Sequence, residues 1–472
     1  MLFQDLGPRK LVADFSGGQL SSDGGTLLLR QVDAGLGISR KLASCFTDLR
    51  KDNRVEHSVE ELLRQRLFAL AMGYEDLNDH EYLRRDPLMA AVVGKQDPLG
   101  KERRLQKDRG FACASPATLN RLELGAKFSD RYRKVSVDPL QMEAALLELG
   151  VRCLPKDGEL FVLDLDATDD PLHGKQEGAF FHGYYGNHCY LPLFGFVGDI
   201  PLWAQLRPSN QDASAGTEEA LAKIIPAIRK RFPKVKIVVR ADSGFSRESI
   251  MAWCEAQKDV YYLIGMARNA RLEALVAPSM RRAMERHCLT GVACREFSET
   301  EYSTLGSWSR ARRMICKAEV LAGMKTNPRF VTTNIPVRGI LDSKGRVLVS
   351  GSVDELYEKS YCGRGNAENR IKQMVLDLKS DRTSSSWMAS NQIRLWLSSV
   401  AYLLLERVRQ IGLGGTNWAK ATLGTLRLRV LKVAAYVRVR VSVRRVHVAL
   451  SSAFPLQGIF RQAARRLEEC WP

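Results

Sequence analysis

Residues 161–174 read FVLDLDATDDPLHG. Phe161, Val162, Leu163 and Leu165 make an apolar strand, and Asp164, Asp166, Asp169 and Asp170 crowd its end. A short apolar run of this kind fits a strand buried within an α/β sheet. Such a strand delivers its end to the sheet edge, where ligands bind, so a carboxylate there faces a pocket without entering the core. Side chains two apart share a face, which leaves both Asp164 and Asp166 as candidates. Asp166 is favoured because it ends the strand and precedes the small pair Ala167-Thr168. The plain alternative is a turn-forming aspartate, the simplest reading of Asp169 and Asp170 ahead of Pro171.

Working outward, AFFHGYYG and YLPLFGFVG read as two further strands, with Trp203 to Leu206 extending the second of them. A helix follows over Thr217 to Phe232, with Glu218 and Glu219 in its first turn and Arg229, Lys230 and Arg231 in its last; Pro226 predicts a kink. KIVVRADSGF, residues 236–245, is an apolar strand ending at Asp242. Ser246 is placed to cap a helix through Trp253, and VYYLIGMA is a fifth buried strand. This order predicts an α/β layer whose later strands are parallel.

If the first strand and the one ending at Asp242 are neighbours, Asp166 and Asp242 converge. Two adjacent carboxylates repel, and a proton or a divalent cation must offset that. Mg²⁺ binds through one or two carboxylates plus substrate phosphates. The chain carries 71 Lys and Arg against 53 Asp and Glu, a net charge of +18 over 472 residues. That excess calls for a polyanion: nucleic acid first, an acidic membrane surface second. Acidic strand ends on a basic protein point to phosphodiester chemistry. No signal peptide or bilayer-length apolar run is visible, so a cytoplasmic, nucleoid-associated protein is expected. The ten cysteines are scattered without a CxxC pair and read as reduced thiols rather than a zinc site. His173, His182 and His188 cluster near the first aspartate, where turn and hydrogen-bond roles are the simpler reading.

The third acidic candidate lies in YEKSYCGRGNAENRIKQMVLDL, residues 357–378. Tyr361, Arg364 and Glu368 are three and four apart and share a face on a continuous helix. Gly363 and Gly365 place the helix start near Asn366, with Tyr361 and Arg364 in the turn leading in. A carboxylate beside an arginine suits a metal ligand flanked by a phosphate clamp; a surface Arg–Glu pair is the alternative.

Five regions follow. Residues 1–155 are helical, opened by a Ser58 to Glu61 capping box, with Gly73 closing that helix, a short helix near Asn78 to Arg85 and another starting at Ser115-Pro116. Basic helices around a glycine turn fit a helix-turn-helix or an ordinary helical domain. Residues 156–270 and 356–411 form the two parts of the α/β core. Short alternating strands predict a β-rich insertion over 271–355. Residues 412–472 are basic, and VRVRVSV alternates with Arg438 and Arg440 on one face and Arg444 just beyond, suited to DNA phosphates.

LDLDATDD, RADSGF and YCGRGNAENRIK together resemble the three acidic motifs of a DDE transposase. More narrowly they resemble the 1380 family of bacterial insertion sequences, whose group has a Tyr, Arg, Glu, Lys signature. HGKQEG, SPATLNRLE and NQIRLWLSSVAYLL look familial too, so the resemblance covers most of the chain. It implies a ribonuclease-H-like core with Asp166, Asp242 and Glu368 as catalytic residues holding two Mg²⁺ ions, for which Mn²⁺ can substitute. Tyr361 and Arg364 would contact DNA backbone near the cut. Expected partners are insertion-sequence ends and target DNA, engaged by a homodimer in the synaptic complex. Val375 stands where the signature has lysine, and Lys372 lies one turn earlier. Two other functions remain: a cleavage-deficient relic that represses by binding DNA, and another ribonuclease-H-like nuclease.

Overall fold

The structure is a computed structural model that describes residues 1–124, 134–440 and 445–471. The chain forms two compact units. One comprises Leu146–Lys372 and Thr383–Leu395; the other comprises Met1–Ala145, Gln373–Arg382 and Trp396–Pro472.

The first unit is built on a nine-stranded mixed sheet. Its strands are β1 (Leu160–Ala167), β2 (Leu193–Val197), β3 (Ile200–Gln205), β4 (Lys236–Ala241), β5 (Val260–Met266), β6 (Cys294–Tyr302), β7 (Arg312–Leu321), β8 (Lys325–Thr326) and β9 (Arg329–Thr333). The order across the sheet is β3-β2-β1-β4-β5-β9-β7-β6, with β8 paired to β7. β1, β4 and β5 run parallel, and β2 runs against β1. The parallel strands need crossovers, supplied between β3 and β4 by helix α1 (Thr217–Arg231) and between β4 and β5 by α2 (Glu248–Ala256). Each helix buries an apolar stripe, Leu221, Ile224 and Ile228 on α1 and Ile250, Met251 and Cys254 on α2. Val238, Leu263, Ile315 and Val331, each on a different strand, form a core cluster with Leu356 and Tyr357.

Several elements differ from the sequence expectation. Residues 270–290, expected to begin the run of short strands, form helix α3 (Ala270–Thr290). Asn269 caps it by accepting from the Leu272 N–H at 3.0 Å, and the helix continues through Pro278. The strands that follow, β6 to β9, extend the same central sheet. α1 continues through Pro226, whose ring lies on the exposed face. AFFHGYYG does not enter the central sheet: Phe180–His182 pairs with Asn187–Tyr190, which in turn pairs with Asp170–Pro171. The residue before α2 is Arg247, and the Ser246 hydroxyl instead contacts the Met266 sulfur at 3.1 Å.

In the second unit the helix Val59–Met72 has both halves of the capping box, Ser58 with Glu61, and ends at Gly73 in the left-handed conformation. The short helix after it is one turn of 3₁₀, Leu77–Asp79, and one of α, His80–Leu83. The chain restarts at Asp86, which caps the helix Pro87–Val93, because the residue before a proline disfavours the helical conformation. Leu20–Ser21, Ala435–Arg440 and Arg445–Leu450 make a small antiparallel sheet. Arg66 is buried against Glu123 at 2.7 Å. Among the described residues no helix is long and apolar enough to cross a membrane.

Candidate active site

β1 and β4 pair in parallel with Arg240 opposite Asp164. Asp166 and Asp242 are each two residues further along, so both carboxylates emerge at the same end of neighbouring strands. Asp166 is buried, and its Oδ1 accepts from the Ala167 N–H at 3.0 Å. Burial, then the charge of Asp242, pushes its carboxyl up to about 7, with Glu368 adding to the rise and Arg364 opposing it. Asp242 caps a 3₁₀ turn, Ser243–Phe245, by accepting from the Gly244 N–H at 2.8 Å. A side chain at Gly244 would crowd that carboxylate, since an added Cβ falls 3.0 Å from Oδ1.

The glutamate segment is helical throughout its approach: one turn of π-helix, Leu356–Tyr361, then a 3₁₀ turn, Cys362–Arg364, then α4 (Gly365–Leu378). The helix proper starts one residue before the expected Asn366, and the lead-in is wound rather than open. Short π segments are often found at functional sites. Leu356 and Tyr357 anchor the segment in the core cluster. Tyr361 reaches back over the end of β5, where an added Cβ at Gly265 would fall 2.3 Å from its hydroxyl. Only glycine leaves that room. Burial raises the Tyr361 phenol, Asp242 adds to the rise, and Arg364 opposes it. Arg364 pairs with Glu368 at 2.5 Å, and the Glu368 side chain is 54% exposed. Burial works against the Arg364 charge, but Glu368, Tyr361 and Asp166 hold its guanidinium above the ordinary value.

Asp166, Asp242, Tyr361, Arg364 and Glu368 are thus brought into one electrostatic neighbourhood, with Asp166 and Asp242 at the same level of neighbouring strands. Glu368 is turned to Arg364. Among the described residues no group of three acidic, histidine or cysteine side chains stands close enough to hold a metal ion. A buried aspartate whose carboxyl is raised by its neighbour is nonetheless the donor chemistry a hard divalent cation neutralises. The residues present fit such an ion through Asp166 and Asp242, with Glu368 available once released from Arg364.

Two residues outside the sequence expectation, Arg240 and Arg370, support this end of the sheet together with Asp164. Arg240 donates to Asp164 through Nε at 2.5 Å and Nη2 at 2.8 Å, and its Nη1 donates to the Ser360 carbonyl. Arg370 donates to Asp199 at 2.8 Å and lies 3.7 Å from Asp164. Asp164, Arg240 and Arg370 each sit two residues from Asp166, Asp242 and Glu368 respectively, forming a charged layer beneath the carboxylates. Gly363 makes room for it, since an added Cβ would fall 2.5 Å from Arg240 Nη1. Asp164 is therefore an ion-pair partner. Its signal was the arginine inside the apolar run IVVRA, which demands a buried acid.

Asp170 is buried and accepts from the Thr383 hydroxyl at 3.1 Å, while Asp169 accepts weakly from Asn187 at 3.4 Å. Lys372 is exposed on α4. In the other unit, Arg438 is exposed on the strand Ala435–Arg440 and lies over the Tyr436 ring at 4.8 Å. Arg440 ends that strand opposite Arg445. Arg444 lies outside the described residues. Two other basic residues of the tail are structural: Lys432 binds Asp23 at 2.6 Å, and Arg427 donates to the Asp377 carbonyl.

The family described as transposase DDE domain group 1 matches residues 3–471. The chain belongs to this family. As a DDE transposase it falls in a group that generally uses divalent metal ions and acts on DNA. No curated protein matches it. Among solved structures it is similar to the cryo-EM structure of the piggyBac transposase synaptic complex with hairpin DNA, at 10% identity and a TM-score of 0.41, covering 94% of this chain and 85% of that one.

Proposed function

We propose that this transposase binds the ends of an insertion sequence of the 1380 family and catalyses DNA strand cleavage and strand transfer, with Asp166, Asp242 and Glu368 as its catalytic carboxylates. The observation that carries this reading is the level placement of Asp166 and Asp242 on adjacent parallel strands, with the Asp166 carboxyl held at about 7 by burial and by its neighbour. The strand order β3-β2-β1-β4-β5, with only β2 reversed, supports a ribonuclease-H-like core. On that reading residues 271–355 are an insertion between the second aspartate and the glutamate. Residues 1–155 and 412–472 bind DNA and assemble a dimer.

Two Mg²⁺ ions, when bound, would activate the attacking oxygen and stabilise the leaving oxygen of an in-line displacement. The protein's own contribution is positional. The Arg240 layer fixes the strand ends, Asp166 and Asp242 present their carboxylates, and Tyr361 fills the floor over Gly265. Arg364 pairs with Glu368, and with Glu368 given over to a cation its guanidinium would be available to a phosphate.

Val375 favours a second reading, a DNA-binding relic, because the family signature has lysine there. The deciding experiment is Mg²⁺-dependent cleavage of a labelled duplex carrying the element's end. Cleavage that vanishes in Asp242→Ala while binding persists supports the catalyst; binding without cleavage in either protein supports the relic.

A further inference from the structure

Phe180–His182 and Asn187–Tyr190 form a hairpin closed by Gly183, Tyr184, Tyr185 and Gly186. Its base is fixed to the segment that follows Asp166. Asp170 pairs with Tyr190, the Leu172 N–H donates to the His188 carbonyl at 2.8 Å, and the Tyr190 hydroxyl donates to the Glu177 carbonyl at 2.6 Å. Its tip is bare. Tyr184 is 86% exposed and Phe181 61%, and nothing lies within 4 Å of a Cβ added at Gly183 or Gly186.

The exposed rings are buttressed by one another. Tyr185 meets Tyr184 edge-on at 5.0 Å and His182 at 4.9 Å, and His188 meets Phe181 at 5.6 Å. Asn187 donates to Asp169 at 3.4 Å and Asp170 pairs with Tyr190, so the hairpin is tied to the segment that leaves Asp166; burial, then the charges of Asp169 and Asp166, pushes the Tyr185 phenol up to about 12. Residues 180–188, FFHGYYGNH, contain neither an aliphatic side chain nor an acid. A protein-docking patch ordinarily mixes aromatic with aliphatic and methionine contacts. A purely aromatic, acid-free patch suits a flat π-surface attached to a polyanion.

We propose that this hairpin is a stacking platform for an unpaired nucleobase of the DNA strand being processed, with Tyr184 and Phe181 presenting the stacking faces. The proposal rests on the reading of Asp166 and Asp242 as the DNA-cleaving site, which fixes the substrate the hairpin would meet. Stacking on aromatic side chains is tolerant of sequence, so the platform would recognise strand separation rather than a base identity.

The test compares a fully paired duplex with a forked duplex carrying 2-aminopurine at the fork, bound without divalent metal. The wild-type protein is expected to bind the fork about tenfold more tightly and to quench the 2-aminopurine. The double variant Phe181→Ala with Tyr184→Ala should lose both effects with an unchanged melting temperature, while Tyr184→Trp should keep them. Fork preference and quenching that survive the double variant would overturn the proposal. So would a double variant that changes only the oligomeric state by light scattering, which would assign the face to a second copy of the chain. Cleavage with Mg²⁺ separates the two readings. A protein that cleaves but ignores the fork defeats the hairpin alone, one that prefers the fork but never cleaves defeats the chemistry alone, and one that binds no DNA defeats both.

Discussion

Arg240 holds Asp164 through two hydrogen bonds, at 2.5 and 2.8 Å, one step below the level of Asp166 and Asp242. Both partners are buried and lie on neighbouring parallel strands, so the pair clamps together the two segments that carry the aspartates.

Removing one partner leaves an uncompensated buried charge. Arg240→Met is expected to cost about 3–5 kcal/mol, whereas Asp164→Leu combined with Arg240→Met recovers much of that loss. Denaturant unfolding of the two single variants and the double decides it. Equal instability of double and single would mean that Arg240 acts through the Ser360 carbonyl instead.

The raised Asp166 carboxyl has a definite sign. The folded protein retains a proton that the unfolded chain releases, so this group's penalty is absent below about pH 4, grows as pH rises, and is complete above about pH 7. Asp166→Asn should therefore raise metal-free stability by on the order of 2–4 kcal/mol at pH 8 and leave it unchanged at pH 4. Adding Mg²⁺ should raise the melting temperature of the wild type only. Thermal melts across that range that track one another in the two proteins would refute the assignment.

Acid should act in the opposite direction through His80. Burial, then the Arg66 charge, pushes this imidazole down to about 3, while Gln65 Nε2 donates to its Nδ1 at 2.9 Å. The stability it contributes is intact above its unfolded value near 6.5 and is lost progressively as pH falls towards 3. His80→Asn is expected to flatten the stability profile between those limits, by on the order of 1–3 kcal/mol overall. A profile of unchanged steepness would assign the acid sensitivity elsewhere, His57 being the next candidate because burial also takes it down to about 3.

If Arg438 and Arg440 contact DNA phosphates, replacing both with alanine lowers the slope of log binding constant against log salt by about two. Titrations at several salt concentrations read this directly. An unchanged slope would remove the strand Ala435–Arg440 from the interface.

On the proposed 1380-family reading, Val375→Lys installs the lysine of that signature and should tighten binding to the element's end by about tenfold, the value of one good charge-assisted phosphate contact. No gain in binding or cleavage would show that Lys372 already serves, or that the contact is dispensable.

The strands that bear the proposed catalytic aspartates were readable because burial and charge leave separate marks: mostly apolar runs, then a carboxylate. IVVRAD and FVLDLD also held the ion pair, an arginine and an aspartate at matching depth, but only strand register shows that they meet. α3 was missed because Pro278 and its many charges obscure an amphipathic stripe that the Asn269 cap and packing against β6 and β7 stabilise. The aromatic hairpin read as a core strand since hydrophobicity alone cannot say which way a ring faces.

Each compact unit is assembled from separated stretches, and the boundary falls within α4 and again within the helix Met388–Arg407. A cut after Leu395 keeps every stretch of the sheet-bearing unit but takes Trp396–Pro472 from the other. A stop codon therefore always takes residues from the unit that holds both ends of the chain, whereas the sheet-bearing unit keeps all its stretches when the stop falls after Leu395.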